Sequence, residues 1–280
     1  MKDTLINIAE QFIKKNPPSI DKDQFFLIDK LVIDKFIKFA NIVKNDRVLE
    51  VGPGLGFLTK ALAEKAEEVI AIEIDTRFKP YLDKLPKNVK VIYGDAYKLL
   101  NNKQFFKKIK PPTKTVSNIP YSQAQNMLHN CTNSLWYKGD LVWIAPLSLV
   151  DKINKEPILG AYFKAKMKEK IPKSAFYPKP HTSSAIICFE RIQNPIKSDD
   201  FEIYFRRWLY NHEDWKVKNA LREGIIKAAF DLKGKKITKN QARKMVKSLG
   251  VSKQEQEKLT NNIRPKYYFE IPAKLQKMIN

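Results

Sequence analysis

Short apolar runs alternate with helical patterns through the first two thirds of the chain, and each run is too short to form a helix of several turns. The six strands predicted from these runs lie at residues 47–51, 69–73, 89–93, 115–118, 141–145 and 185–189. Apolar strands separated by helices form mostly parallel sheets that helices cover on both faces. The sequence therefore predicts an α/β fold, in which ligands bind beyond the carboxyl ends of the strands.

The pattern changes after the sixth predicted strand. Asn194-Pro195 has the composition of a linker, and residues 200–280 show helical periodicity without convincing strands. A further helix is predicted near the start of the chain, over residues 4–15. The chain is thus expected to form two domains: residues 1–193, a sheet domain with an N-terminal helical arm, and residues 194–280, a small all-helical domain.

The chain carries a large excess of positive charge. Its formal net charge is +22, from 52 Lys and Arg against 30 Asp and Glu. The last third, from Arg191 onwards, holds 21 basic and 10 acidic residues, about half of the surplus. Basic side chains neutralise phosphates and release counterions, so this charge favours a polyanionic partner. Lysines on ordinary solvated faces are the alternative, and charge alone does not identify a nucleic acid.

The cysteines and histidines are scattered. Cys131 and Cys188 lie far apart, and the three histidines show no metal-ligand spacing, so neither a metal site nor a disulfide framework is expected. No apolar run reaches the ~18 residues of a membrane helix. The first residues also lack the pattern of a secretory signal. These features predict a cytoplasmic protein without a membrane segment.

A glycine-rich segment follows the first predicted strand, in Glu50-Val51-Gly52-Pro53-Gly54-Leu55-Gly56. Glycines let the backbone turn tightly and approach a ligand, and the next helix N-terminus adds hydrogen-bond donors. The dinucleotide fingerprint G-x-G-x-x-G requires glycine where this chain has Phe57. An acidic residue before G-x-G-x-G is instead typical of S-adenosylmethionine enzymes, although a glycine turn without a ligand remains an alternative.

Acidic residues end or follow the next two strands. Glu73 ends the second strand, where a carboxylate can accept both hydroxyls of a ribose. Asp95, in Gly94-Asp95-Ala96, follows the third strand and can accept from an adenine amino group. Either acid alone also fits a helix cap or a solvated turn. Functional features at three successive strand ends together predict a pocket for an adenosyl cofactor.

The fourth predicted strand leads into Asn118-Ile119-Pro120-Tyr121. The N6 amino group of adenine is a poor nucleophile because its lone pair is delocalised into the ring. The Asn118 side-chain oxygen and the Ile119 carbonyl can accept both N6 hydrogens, and Pro120 stiffens the turn. Tyr121 can stack on the base. An Asn-x-Pro turn with a core tyrosine is the structural alternative.

Seven ordered segments resemble the ribosomal RNA adenine N6-dimethyltransferase family, which is sister to the macrolide-resistance rRNA methyltransferases. Gln24 to Asp29 resembles the family's Q-N-F-L-x-D opening, and Phe176 to Ala185 resembles its F-x-P-x-P-x-V-x-S-A loop before the last strand. Lys216 to Arg222 is similar to the basic R-K-x-x-R-N-A-L helix of the family's C-terminal domain. In chain order, the seven segments are Gln24 to Asp29, Leu49 to Thr59, Glu73-Ile74-Asp75, Gly94-Asp95-Ala96, Asn118 to Tyr121, Phe176 to Ala185 and Lys216 to Arg222.

The resemblance implies a Rossmann-like S-adenosylmethionine methyltransferase sheet with a small RNA-binding helical domain. It implies transfer of two methyl groups to adenines near the 3′ end of small-subunit rRNA, in the subunit or its precursor, by a monomer. The residues implied to bind the cofactor are Gln24, Phe25, Leu27, Gly52, Gly54, Glu73, Ile74, Asp95, Ala96 and Asn118. Those implied to hold the target base are Asn118, Ile119, Pro120, Tyr121 and Phe176.

Two positions depart from the family pattern, because Phe25 stands where the family usually has Asn and Asp23 where it usually has Gly. The loop at Phe176 also suits the sister group that methylates large-subunit rRNA, whereas chain length and the segment 216–222 favour the small-subunit enzymes. A non-catalytic RNA-binding assembly factor is a further alternative. A nicotinamide oxidoreductase is disfavoured by the glycine spacing.

Overall fold

The computed structural model describes residues 2–17, 24–102, 104–105, 109–132, 139–192 and 201–279. Asp23 and the predicted linker Asn194-Pro195 lie outside these residues.

Within the described residues, seven strands form the main sheet and two short strands form a separate pair. The strands are β1 (Phe26–Leu27), β2 (Arg47–Val51), β3 (Glu68–Glu73), β4 (Val89–Tyr93), β5 (Lys114–Asn118), β6 (Asp140–Pro146), β7 (Phe163–Ile171), β8 (Phe176–Tyr177) and β9 (Ser184–Arg191). The main sheet has the order β4-β3-β2-β5-β6-β9-β7, and β1 pairs antiparallel with β8.

The helices are α1 (Lys2–Lys15), α2 (Lys30–Ala40), α3 (Phe57–Ala63), α4 (Lys79–Leu82), α5 (Ala96–Leu100), α6 (Ala124–Thr132), α7 (Ser148–Lys155) and α8 (Leu159–Tyr162), followed by α9 (Phe201–Asn211), α10 (Val217–Lys233), α11 (Lys239–Ser248), α12 (Lys253–Glu257) and α13 (Tyr267–Ile279). Local sequence explains several of their ends. Asp29 caps α2, with its Oδ1 accepting from Leu31 N at 3.0 Å. Thr238 and Gln241 form a capping box at the start of α11.

The sheet confirms the predicted α/β fold. Strands β4, β3, β2, β5 and β6 pair in parallel, and β9 runs antiparallel to β6. All six predicted strands are present, with ends that differ by at most two residues. Strand order reverses between β2 and β5, because β3 and β4 lie on one side and β6 on the other. Open α/β sheets bind ligands where the order reverses in this way.

Strand β7 was missed from the sequence. Lysines alternate with other residues along it, so Phe163 and Ala165 are buried while Lys164 is exposed. Such a run lacks the continuous apolar character on which the other six strands were predicted. It is an edge strand of the sheet, where lysines discourage pairing with another chain.

An aromatic cluster fastens the N-terminal arm to the sheet unit. The ring of Phe12 in α1 stacks on Phe78, with centroids 4.7 Å apart and planes 23° apart. The same ring meets the edge of Phe26 at 5.7 Å. All three side chains are buried. Burial of these rings fixes β1, and with it residues 24–28, beside the carboxyl ends of the strands.

The described chain divides into two compact units, residues 1–153 with 165–191, and residues 154–164 with 192–280. The second unit, here called the helical unit, therefore includes a segment that sequence analysis had assigned to the first domain. Arg207 of α9 holds this segment. Its Nε donates to Ala161 O and its Nη2 to Ile192 O, both at 2.8 Å, and its guanidinium lies over the Tyr162 ring at 4.6 Å.

Residues 201–279 of the helical unit contain helices and no strand, as the periodicity predicted. None of the helices in the described ranges is long and apolar enough to cross a membrane. The same parts of the chain contain no group of three or more His, Cys, Asp or Glu side chains arranged to hold a metal ion.

Candidate functional site

A cavity of about 640 Å³ lies where β2, β3, β4 and β5 end, a volume typical of small-molecule sites. The structure brings to this cavity every predicted site residue except Phe176. Those residues are Gln24, Phe25, Leu27, Gly52, Gly54, Glu73, Ile74, Asp95, Ala96, Asn118, Ile119, Pro120 and Tyr121. Sequence positions almost one hundred residues apart thus line one cavity at the strand ends, and their roles toward a ligand stay predictions.

The glycine loop brings main-chain atoms to the cavity. Gly52 and Gly54 have φ values of 72° and 54°, in the left-handed region that side chains rarely adopt. A Cβ atom on Gly54 would lie 3.3 Å from the Phe26 ring. A Cβ atom on Gly52 would lie 3.5 Å from Pro120, so the glycine loop and the Asn-Ile-Pro-Tyr turn approach each other closely. The positive φ favours glycine at both positions, and at Gly54 the Phe26 ring also leaves little space for a Cβ atom.

Glu73 lies at the end of β3 and is almost fully buried. Its Oε2 accepts from Gly54 N at 3.0 Å and its Oε1 from Asp75 N at 2.8 Å. Burial raises the pKa of this carboxyl above its ordinary value, while the two main-chain donors oppose the rise. The carboxylate therefore holds the glycine loop against β3 and also borders the cavity beside the exposed Ile74.

Asp95 is a helix cap, and it also borders the cavity. Its Oδ1 accepts from Tyr97 N at 2.9 Å and caps the start of α5. The residue also lines the cavity together with Ala96. A helix cap at the end of β4 orients this carboxyl where a ligand can reach it.

The Asn-Ile-Pro-Tyr turn begins at the last residue of β5. The Asn118 Nδ2 donates to Phe25 O at 2.9 Å, while its Oδ1 is buried and has no hydrogen-bond partner among the described residues. Ile119 is buried, and its amide donates to Ile144 O at 3.2 Å. The Tyr121 hydroxyl forms a hydrogen bond with the Ser184 Oγ. The turn is thus fixed from three sides and leaves one buried acceptor.

Phe176 is the predicted site residue that lies elsewhere. It belongs to β8, where it pairs with Leu27 of β1. Its side chain is only 1% exposed and packs in the main hydrophobic core. The pairing of β8 with β1 turns this ring into the core and away from the cavity. A contact between Phe176 and a target base remains a prediction.

Glu50 is a cavity residue that sequence reasoning noticed only as part of the glycine motif. It is 1% exposed, and its Oε2 has no hydrogen-bond partner in the described parts of the chain. Burial, with the nearby charge of Glu73 adding to it, raises the pKa of Glu50 to about 8. Its place directly before the glycine loop is the sequence signal that marks Glu50 as a cavity residue. Its burial depends on the folded sheet and has no signal in the sequence.

A second, shallower groove of about 890 Å³ lies on the helical unit. Aromatic and basic side chains of α9, α10, the loop between them and the start of α11 form much of its lining, including Trp208, Trp215, Lys216, Arg222, Lys227, Phe230 and Lys239. Trp215 is 38% exposed and Phe230 is 54% exposed. Exposed aromatic rings among cations match the chemistry of nucleic-acid binding surfaces.

The family model described as ribosomal RNA adenine dimethylase matches residues 19–256. A Streptococcus thermophilus (strain CNRZ 1066) protein named ribosomal RNA small subunit methyltransferase A is 32% identical over 239 residues, which cover 74% of this chain and 82% of that protein.

Two solved structures share the fold. A dimethyladenosine transferase from Plasmodium falciparum has a TM-score of 0.55 at 20% identity, with 89% of this chain and 96% of the other covered. The 23S rRNA methyltransferase ErmE has a TM-score of 0.53 at 21% identity, with 90% and 99% covered. The match to the family model confirms the resemblance found in the sequence. The chain belongs to the ribosomal RNA adenine dimethylase family.

Proposed function

We propose that this protein transfers methyl groups from S-adenosylmethionine to N6 of adenines near the 3′ end of small-subunit rRNA, two to each adenine. Membership of the adenine dimethylase family supports this reaction, and similarity to the Streptococcus protein named ribosomal RNA small subunit methyltransferase A supports the small subunit. One structural observation carries the proposal. Asn118, whose Oδ1 is buried and has no hydrogen-bond partner among the described residues, lines the same cavity as the glycine loop, which supports a base acceptor and a cofactor cradle in one site.

The residues of the cavity fit an adenosyl cofactor. The left-handed glycines leave a cradle that Cβ atoms would fill, and the carboxyls of Glu73 and Asp95 border it. When bound, S-adenosylmethionine supplies a methyl group that its sulfonium already activates. The residues proposed to hold it are Gln24, Phe25, Leu27, Gly52, Gly54, Glu73, Ile74, Asp95, Ala96 and Asn118.

The Asn-Ile-Pro-Tyr turn is proposed to hold the target adenine. The Asn118 Oδ1 and the Ile119 carbonyl accept the two N6 hydrogens, which favours a pyramidal nitrogen with an available lone pair. Stacking on Tyr121 contributes about 1–3 kcal/mol. Positioning of the nitrogen opposite the methyl group supplies much of the rate, and no strong base is required.

The departure at position 25 does not remove this chemistry. Residue 25 contributes its main-chain carbonyl to Asn118, and a Phe supplies that atom as well as an Asn does. The amide of Asn118 is therefore positioned despite the substitution. This contact favours a catalytic protein over an assembly factor that retains only the fold.

The helical unit is proposed to bind the rRNA. Its groove presents aromatic rings and cations, and the net charge of +22 attracts a polyanion from a distance. We propose further that the protein acts as a monomer, since a large RNA can recruit a single copy, and that it acts in the cytoplasm on the small subunit or its precursor.

Methyl transfer from labelled S-adenosylmethionine to unmethylated 30S and 50S particles tests the proposal directly. Nucleoside analysis is expected to find label as N6,N6-dimethyladenosine in the 30S sample alone. Label in the 50S sample alone would assign the chain to large-subunit rRNA instead. Label in neither, with S-adenosylhomocysteine still bound in calorimetry, would overturn the reaction and support the assembly-factor alternative.

A further inference from the structure

The main chain of residue 25 determines which way the Asn118 amide points. Phe25 O accepts from Asn118 Nδ2 at 2.9 Å. A carbonyl oxygen only accepts hydrogen bonds, so the NH₂ end of the amide must face it and the oxygen must face away. That oxygen is the buried Oδ1 that has no partner among the described residues. The main chain of residue 25 thereby leaves the acceptor end of the Asn118 amide unpaired in a residue that lines the cavity.

The side chain of Phe25 contacts the other half of the same turn. Its ring centroid lies 5.5 Å from that of Tyr121, with 36° between the planes. At this distance the two rings are in direct contact and leave no room for a base between them. Ser184 of β9 binds the Tyr121 hydroxyl. Phe25 and Ser184 thus restrain the Tyr121 ring at its side and at its hydroxyl end.

The position of Phe25 is itself fixed on both sides along the chain. Gln24 Nε2 donates to Asp75 Oδ2 at 3.1 Å, and Arg77 binds both oxygens of the same carboxylate. On the other side, Phe26 pairs with Tyr177 in the β1–β8 pair. Phe25 is therefore presented to the cavity by a segment with its own anchors, independent of the Asn-Ile-Pro-Tyr turn.

We infer that Phe25 is a positioning residue for the target adenine, because its carbonyl orients Asn118 and its ring orients Tyr121. This inference rests on the proposed function, since it assigns a base to the Asn-Ile-Pro-Tyr turn. The main-chain contact is available to any residue at position 25, whereas the ring contact requires an aromatic side chain. Substitutions at position 25 thus act through Tyr121 and leave the Asn118 contact in place.

The ring contact can be tested without turnover. In protein labelled with 3-fluorotyrosine, the Tyr121 signal is assigned by its loss in Tyr121→Phe and followed by fluorine NMR. Phe25→Ala is expected to shift or broaden that signal. Phe39→Ala is the matched control, because Phe39 is also half-buried against the same core but does not line the cavity. An unmoved Tyr121 signal in Phe25→Ala would overturn the inference whether or not the protein methylates RNA.

Kinetics on 30S particles then separate positioning from cofactor binding. Phe25→Ala is expected to lower kcat about 10- to 100-fold, as for misplaced reactants. KM for S-adenosylmethionine should change by less than about twofold, because the proposed cofactor contact of residue 25 is made by its main chain, which the substitution keeps. Phe25→Tyr is expected to restore kcat. In the Tyr121→Ala background, adding Phe25→Ala is expected to cause little further loss, because both substitutions remove the same positioned ring.

Three results would contradict the positioning role. A raised KM for S-adenosylmethionine with unchanged kcat would make Phe25 a cofactor contact only. An equal loss of kcat in Phe39→Ala would make its effect a general loss of packing. Additive losses in the double variant would show that Phe25 does not act through Tyr121. Absence of methylation by the unsubstituted protein contradicts the proposed function, and the fluorine signal still decides the contact.

Discussion

Carboxyl groups at the cavity of the sheet unit and carboxyl groups on the helical unit have pKa values shifted in opposite directions. The carboxyls of Glu50 and Glu73 at the cavity are buried, and burial raises the pKa of Glu50 to about 8 and raises that of Glu73. On the helical unit, the pKa of Glu257 lies below its ordinary value because Lys218 and Lys216 bind its carboxylate. Burial is the main cause of the pKa shifts of Glu50 and Glu73, whereas pairing with lysine is the main cause of the shift of Glu257.

The difference indicates two kinds of recognition. The cavity is shaped by glycine turns and main-chain hydrogen bonds, so its atoms are held at defined positions and its acceptors suit ligands that donate hydrogen bonds. The groove is lined by long and partly exposed side chains such as Trp215 and Lys239. Such side chains adapt to a phosphate backbone, which suits recognition of RNA by its shape. Substitutions in the two regions should therefore differ in what they change.

The largest effect is expected at the base acceptor. Asn118→Ala removes the buried Oδ1 and should lower kcat on 30S particles by about 100-fold or more, as loss of an acceptor that acts in the transition state does. Thermal unfolding should change little. Asn240→Ala, whose amide contacts only Arg243 in the described structure, is the matched control. Full activity of Asn118→Ala would remove the proposed role of this side chain.

The next effect concerns the cradle. Gly54→Ala forces a side chain into the left-handed region and against the Phe26 ring, so calorimetry should find S-adenosylhomocysteine affinity reduced about 10- to 100-fold. Gly234→Ala is the control, because Gly234 also has a positive φ (64°) but a Cβ there meets nothing within 4 Å. Equal affinity losses in both variants would attribute the effect to backbone strain alone.

A smaller effect is expected in the groove. Trp215→Ala should weaken binding of 30S particles about tenfold, as for loss of one stacked base, without changing S-adenosylhomocysteine affinity. In a plot of the logarithm of the binding constant against the logarithm of salt concentration, Lys239→Ala should reduce the steepness of the slope by about one. Filter binding at several salt concentrations measures both. Leu259→Ala is the control, since Leu259 is similarly exposed and lies outside the groove. Unaltered binding by both groove variants would place the RNA elsewhere.

The smallest effect separates the two kinds of carboxyl by pH. Folded Glu50 keeps its proton up to about pH 8, whereas the unfolded group loses it near 4.5. Because the folded state binds the extra proton, its stability falls as pH rises through this window, by about 1 kcal/mol between pH 6.5 and 7.5. Urea unfolding should show a weaker fall in Glu50→Gln.

Glu257→Gln supplies the contrast to this pH effect. The pKa of Glu257 is lowered in the folded state, so its contribution is complete above the unfolded value and should be constant between pH 6.5 and 7.5. The slope of stability against pH in Glu257→Gln should therefore match that of the unsubstituted protein. If Glu50→Gln also keeps that slope, Glu50 is not the group that titrates.

A strand or helix could be predicted from the sequence where its pattern of apolar residues was long enough to detect. Strands β2, β3, β5, β6 and β9 are apolar and largely buried, and β4, at the other edge of the sheet, is half-buried with Lys90 as its one charged residue, so all six runs are visible in the sequence. Strand β7 is half exposed at the sheet edge, and β1 and β8 are two residues long, so none of the three has a run to detect. The segment 154–164 joins the helical unit through long-range contacts of Arg207, which no local pattern encodes.

The site was predictable in composition more than in contacts. The topology of parallel strands brings residues 52, 73, 95 and 118 to one edge of the sheet, and short motifs mark each of them. The contact between Phe25 and Tyr121 depends on where the arm docks, which packing of Phe12 and Phe26 determines. Likewise, the burial of Phe176 follows from the pairing of β1 with β8. Each of these strands is only two residues long, which is too short to predict from a sequence pattern.

Assembly of the helical unit from two segments has a consequence for synthesis of the chain. Residues 154–164 are made before α9, whose Arg207 binds the Ala161 carbonyl. The sheet acquires its last strand, β9, before α9 exists. Since domains tend to fold as they emerge, the nascent protein passes through a stage with a finished sheet and an uncovered apolar turn at Leu159 and Tyr162.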